Sequence, residues 1–212
     1  MSLRWKIAQN IELRWWKNYL KGKSPEEYLV WKKDYWCKTL NELEVELSPS
    51  SRILDAGCGP AGIFTILNDH KVTAMDPLLD KYAADLPHFK PLDYPYCTFE
   101  NQSLEQFKTA EPFDLIFCIN AINHVDDIGL AIANLAACLK PKGKLIMTID
   151  AHNYGLLKKI FQLIPGDILH PHQYDLADYQ SMMKNAGFDL KSSIKLKSEF
   201  IFDYWSLEGI KR

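Results

Sequence analysis

Arg52-Ile53-Leu54-Asp55-Ala56-Gly57-Cys58-Gly59-Pro60-Ala61-Gly62 is the stretch whose reading decides the fold. A short apolar run ends in an acid and then in three glycines, spaced G-x-G-x-x-G at 57, 59 and 62. Glycine tolerates backbone angles that other residues avoid, and it lets a ligand approach the main chain. The stretch therefore reads as a strand running into a tight turn at a helix N-terminus. An acid, Asp76, ends the next apolar run, 19 residues after Gly57. A carboxylate at that place can accept hydrogen bonds from both hydroxyls of a ribose, so the two features together point to a nucleoside-containing ligand. The glycines alone would be equally compatible with a plain turn.

Working outward, the pattern alternates strands and helices. Residues 72–76 form a second short strand and 96–99 a third, with a proline-rich loop at 87–95 between them. Residues 113–119 are apolar apart from Asp114, as in a central parallel strand buried on both faces. Asp126 or Asp127 caps a helix carrying Ile128, Ile132, Leu135 and Leu139, and residues 144–149 form the next strand. Asp175 caps a last helix with Leu176, Tyr179, Met183 and Ala186, closed by Gly187. Two strand-like runs follow, at 188–197 and 199–207, joined too closely for a helical crossover, so they pair antiparallel. The expected fold is α/β: a Rossmann-like sheet of seven strands, mostly parallel, finished by a C-terminal antiparallel hairpin.

Upstream lies a different kind of sequence. Residues 1–40 hold nine Lys or Arg against four Asp or Glu, and five of the six tryptophans. Ser24-Pro25-Glu26-Glu27 is a helix start, and Tyr28, Trp31 and Tyr35 share a helical face. Residues 1–47 thus read as an N-terminal helical cap and 48–212 as the ligand-binding domain. The cap is expected to cover the carboxyl edge of the sheet, where parallel α/β folds bind ligands, with Tyr35 and Trp36 first to touch the pocket.

Composition excludes several classes. The net charge of -2 calls for no nucleic acid, and no stretch is long and apolar enough to span a membrane. The N-terminus lacks the pattern of a secretory signal, and the five cysteines have no CxxC spacing, so a reducing cytoplasmic setting is expected. No carboxylate has metal-like spacing with a histidine, and no metal is expected.

Asp55 bears on which nucleoside ligand is bound. Two residues before the first glycine, its carboxylate would repel a pyrophosphate but suit a sulfonium and an ammonium. That favours S-adenosylmethionine over NAD, although Asp55 can also cap a turn. The motifs resemble those of class I S-adenosylmethionine-dependent methyltransferases of the small-molecule type. LDAGCGPAG resembles their glycine loop, TAMDP their second motif, FDLIFCINAINHV the fourth-strand motif, and LKPKGKLIM the approach to the fifth strand. HPHQYDLADYQSMMKNAGF resembles their C-terminal helix, so the resemblance runs over roughly residues 48–205.

The resemblance implies roles residue by residue. Asp55, Ala56, Gly57 and Gly59 would face the methionine part of the cofactor, and Asp76 with Pro77 the ribose and adenine. Gln102 and Ser103 would stand where the family often has an Asp on the adenine amine. Asn120 and Ala121 would pass under the cofactor near its methyl group, with Tyr35 and Trp36 closing over it. His124, His152 and His172 are the candidates for a general base. The acceptor would be a small molecule, and the protein a monomer or homodimer. Two other readings share these residues: an NAD-linked oxidoreductase, and a non-catalytic methyltransferase-like binding module.

Overall fold

A computed structural model describes residues 2–153, 174–200 and 202–212. Seven strands form one sheet: β1 (Arg52–Ala56), β2 (Lys71–Met75), β3 (Cys97–Glu100), β4 (Phe113–Cys118), β5 (Leu139–His152), β6 (Phe188–Ser198) and β7 (Phe202–Lys211). Their spatial order is β3-β2-β1-β4-β5-β7-β6. β1 to β5 run parallel, and β7 lies antiparallel between β5 and β6. β1 pairs with β2 on one side and β4 on the other, with Ile53 opposite both Val72 and Leu115. The chain therefore changes direction between β1 and β4. Their carboxyl ends splay apart there, and a crevice opens beyond them.

The helices cover both faces, because strands buried on two sides need two apolar layers. On one face lie α4 (Ile128–Ala137) and α5 (Leu176–Asn185), packed over Ile116, Met147 and Leu207. On the other lie α1 (Leu3–Leu20), α2 (Pro25–Glu42) and α3 (Leu79–Asp85). Leu20, Tyr28, Trp36 and Leu43 are buried in the same cluster as Ile53, Phe64, Val72 and Phe117. The N-terminal helices thus share their apolar core with the sheet.

Local capping explains the helix starts. Ser24 accepts from the Glu27 amide at 3.4 Å with Pro25 in the first turn, and Asp127 accepts from Leu130 at 2.9 Å. Asp175 and Asp178 form a reciprocal capping box at α5.

Three local expectations change and one open alternative is resolved. The glycine loop does not open an α-helix: two 3₁₀ turns follow it, Gly59–Ala61 and Ile63–Ile66, before β2 begins at Lys71. The layer above these turns is filled by α2, whose Trp36 indole donates to the carbonyl of Ala61 at 3.0 Å. Of the two acids offered as a cap for α4, Asp127 takes the role, while Asp126 accepts from the Ser2 amide at 2.6 Å. α4 ends at Ala137, and Lys142 then turns the chain with φ at 64°. β7 begins and ends later than the run at 199–207, since Glu208, Gly209 and Ile210 continue its ladder with β5.

Candidate active site

The crevice holds a cleft of about 820 Å³, counting its open mouth. Its floor is the loop after β1. Gly57 and Gly59 both have positive φ, at 72° and 57°. A Cβ on Gly57 would overlap that of Ala121, so this glycine lets the loop after β4 close against the loop after β1. Asp55 is 3% exposed, and its Oδ2 accepts from the Phe64 amide at 3.0 Å. The carboxylate therefore caps a turn and also lines the cleft. Burial pushes it up to about 7, against the pull of the Phe64 N–H and of the Lys32 ammonium.

Lys32 comes from α2 and reaches the same cleft. Its Nζ lies 4.3 Å from the Trp36 ring centre and 4.8 Å from that of Tyr35. Burial lowers its pKa to about 8, and the nearby Asp55 opposes that shift. A carboxylate and an ammonium thus stand together beside the glycine loop. Sequence reading passed over Lys32, although it lies four residues before Trp36 and so on the same helical face.

Asp76, at the end of β2, is 6% exposed. Its Oδ2 accepts from Gly59 at 3.1 Å and its Oδ1 from Leu78 at 2.8 Å. Burial and the like charge of Glu12 hold its pKa well above the usual carboxylate range, against those two N–H bonds. Glu12 and Gln9 come from α1, as do Trp5 and Trp16, and all four line the cleft. The wall after β3 is made by Ser103, Leu104 and Glu105. The Ser103 hydroxyl is buried with no hydrogen-bond partner.

The far wall follows β4. Asn120 adopts φ of 55°, a left-handed conformation that costs about 1 kcal/mol or more for a residue with a side chain. Three contacts hold it: its amide donates to Thr148 Oγ1 at 2.9 Å, and the Tyr204 phenol bridges Asn120 Oδ1 and Thr148. Behind it, Asn123 donates to Asp150 at 3.1 Å and accepts from the Tyr179 phenol at 3.0 Å.

The structure gathers most of the residues singled out from the sequence. Asp55, Gly57, Gly59, Asp76, Pro77, Ser103, Asn120, Ala121, Trp36 and His124 all line the cleft. Ala56 is buried in the strand beneath it. Gln102 turns aside, with its amide 3.5 Å from Glu100. Tyr35 stands outside the lining residues, edge to face with Trp36 with ring centres 4.9 Å apart. His152 is buried beside Phe202, with ring centres 4.4 Å apart, and lies away from the cleft. His172 lies outside the described residues. No group of three His, Cys, Asp or Glu suited to a metal occurs among the described residues. No helix among them is long and apolar enough to cross a membrane.

Comparison with known proteins gives a consistent picture. A family model described as a methyltransferase domain matches residues 28–193. The ubiquinone biosynthesis O-methyltransferase of Rhodopseudomonas palustris (strain HaA2) is 32% identical over 133 residues, which cover 58% of this chain and 49% of that protein. The enzyme of the same name from Rickettsia canadensis (strain McKiel) is 25% identical over 193 residues, 85% of this chain and 77% of that one. The chain spans less than half the length of most of the curated relatives it matches. Among solved structures, the Burkholderia thailandensis 1,6-didemethyltoxoflavin-N1-methyltransferase, with bound 1,6-didemethyltoxoflavin and S-adenosylhomocysteine, superposes with a TM-score of 0.66 at 15% identity. That match covers 100% of this chain and 91% of the other.

Proposed function

The chain belongs to the methyltransferase-domain family, and from that premise we propose that it transfers a methyl group from S-adenosylmethionine to a small-molecule acceptor. The observation that carries this reading is that buried Asp55 and half-buried Lys32 line the same cleft beside the glycine loop. A carboxylate next to an ammonium complements a zwitterionic amino-acid end, which this cofactor has. A dinucleotide would instead place its pyrophosphate against Asp55, a repulsive arrangement.

The remaining residues fit the cofactor as well. Asp76 keeps free lone pairs for a ribose diol, since each oxygen accepts only one amide in the protein. The orphaned Ser103 hydroxyl and the apolar Leu104 and Val125 suit the adenine. When bound, the cofactor would supply a methyl group activated by the adjacent sulfonium.

What this chain contributes is position and shelter. α1 and α2 cover the cleft and exclude water, which strengthens every charge interaction inside it. Asn120, pinned by Thr148 and Tyr204, shapes the far wall at the crossover between β1 and β4. His124 is the one candidate base among the described residues that lines the cleft, and it would take the proton from a hydroxyl acceptor. Oxygen acceptors are the first class to assay, because the matched relatives are named O-methyltransferases.

The test is calorimetric titration with S-adenosylhomocysteine, NAD and ATP, followed by labelled methyl transfer to a library of small hydroxylated molecules. Binding of S-adenosylhomocysteine alone among the three is expected. Preference for NAD would make the protein an oxidoreductase, and binding without transfer to any acceptor would favour a non-catalytic module.

A further inference from the structure

Trp5, Gln9, Glu12 and Trp16 of α1 stand four, three and four residues apart, so they form one stripe along the helix, and all face the cleft. A stripe buried against a protein is ordinarily apolar, because a buried polar group without a partner is costly. Here its centre is an amide and a carboxylate. Gln9 is 7% exposed, and its Oε1 is buried with no hydrogen-bond partner. Its Nε2 reaches only Glu12, at 3.4 Å. Glu12 in turn faces Asp76, a second carboxylate.

Resting on the methyltransferase reading above, we propose that α1 is a binding wall of the nucleoside site, where Glu12 and Gln9 accept hydrogen bonds from the cofactor's ribose diol and adenine amine. Among the described residues that line the cleft, the buried polar atoms without a hydrogen bond are Gln9 Oε1, the Ser103 hydroxyl and Glu105 Oε2, all able to accept, so the missing partner must be rich in neutral donors. A vicinal diol between Glu12 and Asp76 gives each carboxylate an O–H and relieves their mutual repulsion. The helix is held at both ends for this role. Ser2 bonds Asp126 in the loop before α4, and Lys17 pairs with Asp85 of α3 at 2.8 Å. Gln9 and Glu12 lie between those anchors. The cofactor is thus clasped between the sheet and α1, while α2 supplies Lys32 to its other end.

Calorimetry on the full chain tests this, using S-adenosylhomocysteine, adenosine and 2′,3′-dideoxyadenosine as probes against Glu12→Gln and Gln9→Leu. Losing an acceptor should weaken S-adenosylhomocysteine and adenosine by roughly tenfold or more, while Glu12→Gln leaves dideoxyadenosine unchanged. The empty Gln9→Leu variant should melt at the same temperature or higher, because it removes an orphaned group. Lower melting of that variant would show that Gln9 serves the fold, and would overturn the proposal. Unchanged affinity for S-adenosylhomocysteine would also overturn it, leaving the methyltransferase reading in place. A wild-type protein that binds NAD instead, with the same dependence on Glu12, would overturn the methyltransferase reading and keep the α1 assignment. Failure to bind any of these nucleosides would end both.

Discussion

Gly62 and Asp55 are fitted to one another: a Cβ on residue 62 would overlap Asp55 Oδ2, and would also lie 2.6 Å from the carbonyl oxygen of Cys58. The third glycine of the motif makes room for a carboxylate of the protein itself. It does so by close packing, since its own φ of -74° is open to any residue.

Gly62→Ala should accordingly displace Asp55 from the cleft and break its bond to Phe64. The expected outcome is a lower melting temperature together with at least tenfold weaker S-adenosylhomocysteine binding, as one charge-assisted hydrogen bond is lost. Differential scanning fluorimetry and calorimetry read the two effects. A normal melting temperature with normal affinity would show that the loop can shift at no cost.

Lys32→Met should weaken S-adenosylhomocysteine by roughly tenfold or more, through loss of an ion pair in a sheltered site. 5′-Methylthioadenosine lacks the amino-acid end and should bind wild type and variant alike. Equal losses for the two ligands would place Lys32 away from the amino-acid end.

Stability should depend on pH through the same cleft. The folded pKa of Asp55 is raised from 3.8 to about 7, and that of Asp76 is raised as well. Between those limits the folded state holds more protons than the unfolded one, so stability is lost as pH rises from about 4 to about 7. Lys32 is lowered from 10.5 to about 8, and its contribution has the opposite sign: stability is regained as pH rises from about 8 toward 10.5. Asp55→Asn and Asp76→Asn should each flatten the lower window, and Lys32→Met the upper one. Melting curves from pH 4 to pH 10 measure this. A wild-type slope that survives all three substitutions would locate the titration elsewhere.

Trp36→Phe removes the bond from the indole to Ala61 while keeping an aromatic ring in the core. A loss of about 1–2 kcal/mol of stability is expected, from the missing bond, the orphaned carbonyl and the smaller ring. Because Trp36 ties α2 to the loop after β1, amides at 57–62 should exchange faster in the variant. Hydrogen exchange confined to wild-type rates there would mean that α2 does not brace the loop.

The sheet was legible because its evidence is local and periodic. The run at 113–119 became β4 at Phe113–Cys118, and the paired runs near the C-terminus became β6 and β7. Asp55, Asp76 and the glycines were legible for a related reason, since a tight turn after a strand needs particular residues at particular offsets, and all of them line one cleft. The 3₁₀ turns after Pro60 were not. The helix expected there is displaced by α2, a neighbour that is distant in sequence.

Sequence alone therefore determined the strand–helix alternation, the antiparallel hairpin at the C-terminus, and the acids flanking the glycine loop, because each follows from backbone periodicity and turn chemistry within a few residues. Tertiary structure decided which cap residues face the cleft. Tyr35 and Trp36 drew notice as aromatics, yet Gln9, Glu12 and Lys32 carry the polar groups that reach the cleft. An amide or an ammonium on a helix looks like a solvated surface residue until the fold sets another surface against it. Only then does its burial stand out, as does the absence of a protein partner for the Gln9 Oε1.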